Sequence, residues 1–463
     1  MRALFVSLAL MALPLWAAKP NFLIIVTDDQ RPDTISAPGN PRIHTPNLDR
    51  LVKNGTTFTN FLCSNPLCVP SRAEILTGCS GFRNEVLYGR RMNPELTLWP
   101  VAMTAGGYSA WYSGKWMNDG KPIPRGYHET RALFTGGGGT WQKGEVVRGR
   151  KGRVITGYRN WTFKNAEGQS ELNKGTGLTP LTDKYIADGA LEFLQRKNDK
   201  PFFLHVNFTG PHDPLVYPPG YEKKYTAANM KLPPNFLLRH PFDHGNFEGR
   251  DEQLLPWPRT KEDILDELTV YYAVIDHIDK QVGRIIEQLR SDGRLKNTYV
   301  IFTSDHGLAL GSHGLMGKQN MYDHSVRVPF VVNGPGITAD HRITVPIYLQ
   351  DLMPTTLQLA GVEKPDHVDF TSIMPLLEAE NAWPYKEIYG AYLNVQRSIT
   401  VGEHKLIYYP SIKKRRLFNL AKDPLEMHDL ADNKKHAEML EQLTVRLAAM
   451  QEKMDDPLVR KKP

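Results

Sequence analysis

A cysteine two residues before a proline and four before an arginine is the most reactive combination in this chain. Pro66-Leu67-Cys68-Val69-Pro70-Ser71-Arg72 runs into the mostly apolar residues 73–76 and closes at Thr77-Gly78. A proline that can open a helix and a glycine that can stop it place the Cys68 thiol at a helix N-terminus. There the unpaired N–H groups and the macrodipole favour an anion, which suits thiolate chemistry or oxyanion binding. Two further groups stand at the ends of apolar, β-branched runs: Asp28-Asp29 after Asn21–Thr27, and Asp305-His306 after Thr298–Ser304. Carboxylates at the carboxyl ends of buried strands are costly unless a cation neutralises them, so the two strand ends are expected to meet at one cation. Oxygen-rich ligation suits Ca²⁺, while the histidine leaves room for Mg²⁺, Mn²⁺ or Zn²⁺.

The elements that must carry these residues follow from periodicity. Continuous apolar runs mark strands buried on both faces of a parallel sheet, at 21–27, 107–116, 201–208 and 298–304. Helices are expected over 45–55, which opens on Pro46 and stops at Gly55, over 183–196, and over 352–360 behind Asp351. The longest runs from 263 to 293, where Ile264, Leu268, Tyr271, Ile275, Ile278, Val282, Ile285 and Leu289 recur at three- and four-residue steps. Residues 134–180, rich in Gly, Lys, Arg and Trp, read as an irregular surface insert that shapes a substrate site. Beyond 365 the strands become shorter and more polar, at 398–409 and 416–420, before a final helix over 436–450.

The chain's 463 residues are enough for a large core. Lys and Arg number 57 against 50 Asp and Glu, a net charge of +7. The basic residues are scattered; the one dense cluster, Lys413-Lys414-Arg415-Arg416, reads as a solvated hairpin tip, and no nucleic-acid partner is expected. Met1-Arg2, a short apolar stretch and Ala17-Ala18-Lys19 describe a secretory signal over 1–18. The protein is therefore expected in the periplasm or secreted, without a stable membrane anchor. Cys63 and Cys79 either pair or remain two buried thiols.

The spacing Cys68-x-Pro70-Ser71-Arg72, with Leu76-Thr77-Gly78 behind it, resembles the signature of the type I sulfatases, whose cysteine a maturation enzyme oxidises to formylglycine. Gly107-Tyr108 leading to Gly114-Lys115-Trp116, the turn Gly210-Pro211-His212, and Gly311-Ser312-His313-Gly314 before Lys318 are similar to further stretches of that family. The resemblance implies an alkaline-phosphatase-like α/β fold. A large, mostly parallel sheet sandwiched by helices would occupy 19–365, and a small antiparallel sheet with a helix 366–463. It also implies one Ca²⁺ held by Asp28, Asp29, Asp305, His306 and the modified Cys68. Arg72, Lys115 and Lys318 would offset negative charge, and His212 would protonate the departing oxygen. The Asp305-His306 pair resembles the iduronate-2-sulfatase-like branch. The family's histidine close behind the lysine is replaced by Met117-Asn118-Asp119, which leaves its role to Asp119, a distant histidine or water. The activity implied is hydrolysis of a sulfate ester on a sulfated saccharide. The alternatives are a phosphonate or phosphodiester hydrolase of the same fold, and a silent homologue that binds sulfated glycan.

Overall fold

The computed structural model describes residues 18–88, 91–136, 146–378 and 384–460. The expected signal, apart from its last residue, and glycines 137–139 of the insert lie outside them. The main sheet has nine strands: β1 (Asn21–Thr27), β2 (Thr56–Phe58), β4 (Ser109–Lys115), β5 (Glu129–Thr135), β6 (Thr162–Lys164), β7 (Phe202–Asn207), β8 (Thr298–Ser304), β10 (Phe330–Asn333) and β11 (His341–Ile343). Their spatial order is β11-β2-β10-β8-β1-β7-β4-β5-β6. The central strands β8, β1, β7, β4 and β5 run parallel, with β10 and β6 antiparallel on either side. A three-stranded sheet of β3 (Phe61–Leu62), β9 (Arg327–Val328) and β12 (Ile347–Tyr348) lies beside it.

The strands are apolar throughout because both faces are covered. Phe22, Ile24 and Val26 pack on one side with Ile75 and Leu76 of α2 (Cys68–Thr77), Trp99 and Met103 of α3 (Trp99–Ala105), and Leu357. Leu23 and Ile25 pack on the other with Leu48 of α1 (Pro46–Asn54), Ile186 of α4 (Thr182–Leu194), and Val270 and Val282 of α5 (Lys261–Ser291). Register then aligns the strand ends: Thr27 stands beside Ser304, Val26 beside Asn207, and Gly114 beside Asn207. Asp28, Asp305, Lys115 and the turn after β7 therefore leave the sheet along one edge, which is what the repeated strand-then-carboxylate pattern predicted.

Four antiparallel strands, β13 (Ile388–Tyr392), β14 (Gln396–Val401), β15 (His404–Tyr409) and β16 (Lys414–Asn419), form the C-terminal sheet. The helix Ala437–Lys453 packs Leu443 and Leu447 against Ile399, Leu406 and Leu417. The run expected as a single strand over 398–409 is thus part of a hairpin that turns at Gly402-Glu403. The basic cluster is not one solvated tip either: Lys413 is at the turn, whereas Arg416 is buried, 2.9 Å from Asp429. Lys405 fastens this sheet to the main body, 2.7 Å from both Asp323 and Glu426. Among the described residues no helix is long and apolar enough to cross a membrane.

Candidate active site

Helix α2 begins at Cys68 itself, because Leu67 is still extended at φ −151°. Pro70 falls in the first turn, where a missing N–H breaks no intrahelical bond. The Cys68 side chain is 3% exposed. Its sulfur lies 3.4 Å from Asp28 Oδ1 and 3.2 Å from His306 Nε2. One turn on, Arg72 donates from Nε to Asp305 Oδ2 at 2.8 Å, from Nη1 to Asn207 Oδ1 at 2.5 Å, and from Nη2 to the Thr27 carbonyl at 3.3 Å. Ser71 Oγ donates to the Asp305 carbonyl at 2.7 Å. The first turn of α2 is thereby fixed to the ends of β1, β7 and β8 at once.

Ligand atoms of Asp28, Asp29, Cys68 and His306 all fall within 4.8 Å of one another. His306 Nδ1 is 3.0 Å from Asp29 Oδ1, and its Nε2 is 3.6 Å from Asp305 Oδ1. The two strand ends do meet, as the sequence led us to expect. Burial pushes the Asp28 carboxyl up, but Lys115, His212, Arg72 and Lys318 together hold it well below the usual carboxylate range. Asp29 is likewise held at about 2 against burial, by Lys318, His212 and His306. At Cys68, burial and the Asp28 charge oppose ionisation, yet Lys115, Lys318 and His306 bring the thiol well below its ordinary value. His306 moves the other way: burial disfavours its charged form, and Asp305, Cys68 and Asp29 hold the proton on.

Both predicted lysines reach this cluster with no exposed surface. Lys115 donates to Asp28 Oδ2, and Lys318 lies 3.0 Å from each Asp29 oxygen and 3.5 Å from Asp251. His212 Nδ1 sits 2.6 Å from the Asp213 carbonyl and 3.0 Å from its carboxylate, while Nε2 is 4.0 Å from Asp29. Burial and Lys318 lower its affinity for a proton, but Asp213, Asp29 and Asp28 lift it to about 10. Arg250 lies 3.1 Å from His212 Nε2 and 3.2 Å from Asp213. His212 and Arg250 thus share the one Asp213 carboxylate.

Other candidates stand elsewhere. Asp119 accepts from Arg125 and from the Met92 N–H, and His128 is an exposed acceptor for the Ala110 N–H. His313 stacks on Tyr322 with ring centroids 4.0 Å apart. Cys63 and Cys79 are both buried free thiols. Sequence reasoning did not find Asn207, Asp213, Tyr158, Arg250 or Asp251. The first two adjoin recognised motifs at the end of β7, a signal that was there to use; the others lie in aperiodic loops and gave none. Tyr158 also corrects the picture of the insert as surface: with Phe134, Trp161 and Phe163 it is buried, and β6 extends the main sheet.

Residues 20–362 match the family described as Sulfatase, and residues 311–453 match the family described as N-sulphoglucosamine sulphohydrolase, C-terminal. An arylsulfatase of Clostridium perfringens is 28% identical over 460 residues, covering 92% of this chain and 93% of that protein. Among solved structures, one in complex with its substrate D-glucosamine-2-N,6-O-disulfate superposes with a TM-score of 0.77 at 23% identity, covering 96% of this chain and all of that one. A phosphonate monoester hydrolase from Silicibacter pomeroyi gives 0.76 at 22% identity, over 94% of this chain and 96% of the other. At such identities these two likenesses speak for the fold.

Proposed function

We propose that this chain, which belongs to the sulfatase family and is a sulfuric ester hydrolase, acts on a sulfated saccharide, with residue 68 as formylglycine and Ca²⁺ at the strand ends. The observation that carries this reading is the donor set. Asp28, Asp29 and His306 bring ligand atoms within 4.8 Å of one another and of the Cys68 sulfur, and Asp305 stands 3.6 Å from His306. Hard Ca²⁺ prefers oxygen and thiolate is soft, so an oxygen at position 68 suits these partners better than the thiol. A formylglycine hydrate would supply such an oxygen: one hydroxyl attacks sulfur as the ester S–O bond breaks, and loss of the other hydroxyl's proton to water then expels sulfate and restores the aldehyde; a bound cation would lower the charge around both hydroxyls.

Asp28, Asp29, Asp305 and His306 would hold the cation, with His306 giving up its proton on binding. Arg72 fixes Asp305 and the first turn of α2. Lys115 and Lys318 bind sulfate oxygens, and their charge counts for more in a dry site than in water. When the ester S–O bond breaks, His212 passes its Nε2 proton to the leaving oxygen, while Asp213 on Nδ1 keeps the ring oriented. Arg250, a partly exposed cation beside His212, is suited to an anionic group on the same saccharide. The disulfated glucosamine bound by the structural relative supports the substrate class, and the N-terminal signal pattern supports export.

Mass spectrometry of the tryptic peptide containing Cys68, after co-expression with a maturation enzyme, is expected to give formylglycine. An unmodified thiol in an active preparation overturns the nucleophile. A panel of defined sulfated oligosaccharides, run beside a phosphonate monoester, tests the substrate. Faster turnover of the phosphonate than of any sulfated sugar overturns it.

A further inference from the structure

Residues 156–158 come from the insert after β5, yet each touches the site. Thr156 Oγ1 donates to Asp213 Oδ2 at 2.8 Å. At Gly157 a Cβ would stand 2.8 Å from the Asp213 carbonyl oxygen and 3.1 Å from His212 Cε1, so a larger residue would push the chain away. Tyr158 then turns through φ +56°, a conformation that costs a non-glycine residue about 1 kcal/mol or more. Its hydroxyl donates to Asp28 Oδ2 at 2.6 Å, and its ring meets His212 edge-on with centroids 4.7 Å apart.

Backbone strain persists only where the surroundings over-determine it, and here they do. Trp161 packs edge-on against Tyr158 at 4.9 Å, and its N–H donates to the Tyr158 carbonyl at 2.9 Å. The hairpin before the segment is pinned to α5, with Arg150 2.7 Å from Glu267, and Arg153 and Lys151 each 2.9 Å from Asp266. The segment is anchored at both ends, so it does not behave as a lid.

We propose that Thr156-Gly157-Tyr158 is a positioning clamp for the hydrolytic site. Tyr158 and Lys115 both occupy Asp28 Oδ2, which leaves Oδ1 facing residue 68 and free to ligate a cation there. Thr156 holds the carboxylate that orients His212. The inference rests on the cation reading above. Outer partners of metal ligands commonly account for ~10-fold or more in affinity.

The test uses the matured full-length protein, stripped of metal with a chelator and titrated with Ca²⁺ by calorimetry. Tyr158→Phe is expected to weaken Ca²⁺ binding about 10-fold and to lower kcat with KM little changed. Thr156→Val is expected to leave Ca²⁺ affinity unchanged and to lower kcat most for esters of poor leaving groups, because it acts through His212. Wild-type Ca²⁺ affinity in Tyr158→Phe, or a Thr156→Val effect that ignores the leaving group, overturns the clamp alone. Wild-type protein that binds no divalent cation overturns the cation reading as well.

Discussion

Lys318 carries its charge in a place without solvent, between Asp29 and Asp251. If it binds sulfate as proposed, this buried ammonium is worth most in the transition state, so Lys318→Ala should lower kcat/KM for an aryl sulfate by ~100-fold or more, on the order of 3 kcal/mol. Steady-state kinetics with folding checked by circular dichroism decides this; a loss under threefold would remove Lys318 from the mechanism. Arg250 differs because its side chain is 22% exposed and shares Asp213 with His212. Arg250→Ala should raise KM for a multiply sulfated sugar about 10-fold, a loss of ~1.4 kcal/mol in binding, while kcat moves little. These residues also show what was legible. Cys68, Arg72, Lys115 and Lys318 stand at fixed offsets from prolines and glycines that shape turns, so their spacing survives in the one-dimensional string. Tyr158 and Arg250 reach the same point from loops without period, where only the folded chain shows the meeting.

At the scale of elements, the tightest constraint is the pairing of β4 with β7. Gly114 has φ +104°, and a Cβ there would lie 2.0 Å from the Asn207 carbonyl oxygen. Neither backbone can yield without moving Lys115 or the Asn207 that holds Arg72. Gly114→Ala should therefore cost at least ~2 kcal/mol in urea unfolding and depress activity further than the lost stability explains. Unchanged denaturation midpoint and kcat would show that the strands slide freely. The strands themselves were readable because burial on both faces leaves continuous apolar runs. The C-terminal hairpin was not, although Gly402, at φ +55°, is the turn residue between its two strands. The turn is local: Val401 pairs with His404 across Gly402-Glu403, a two-residue hairpin loop.

Across the whole molecule, three buried histidines contact Tyr322 where the main body meets the C-terminal sheet, and a fourth lies against one of them. His240 donates to or accepts from Tyr322 at 3.0 Å, His313 and His324 flank its ring, and His244 lies against His240. Burial lowers all of them: His240 to about 2, His313 to about 3, His244 to about 4, and His324 well below its ordinary value. A histidine kept neutral in the fold contributes nothing adverse above its unfolded value of ~6.5, but below it the unfolded chain takes up a proton that the folded chain refuses. Stability is thus lost as pH falls from about 6.5 toward these lower values, by roughly 1.4 kcal/mol per pH unit for each such group. Their imidazole signals in NMR should stay in the neutral form down to pH 5, and protonation of these rings near pH 6.5 would refute the neutral assignment. His212 and His306 have the opposite sign: raised above their unfolded value, they stabilise fully below ~6.5 and lose this on the alkaline side.

The parallel pairing of β1 with β8 joins Thr27 to Ser304, and that topology can be restated as time. Cys68 emerges from the ribosome long before β8 and Lys318 exist to cover it. At ~5–20 residues per second, the intervening 250 residues take roughly 12–50 s to synthesise. If residue 68 is matured as proposed, the enzyme that reaches a thiol 3% exposed in the finished fold should work while the central strand still lacks its neighbour. Anything that hastens closure of the sheet shortens the interval in which residue 68 can be altered.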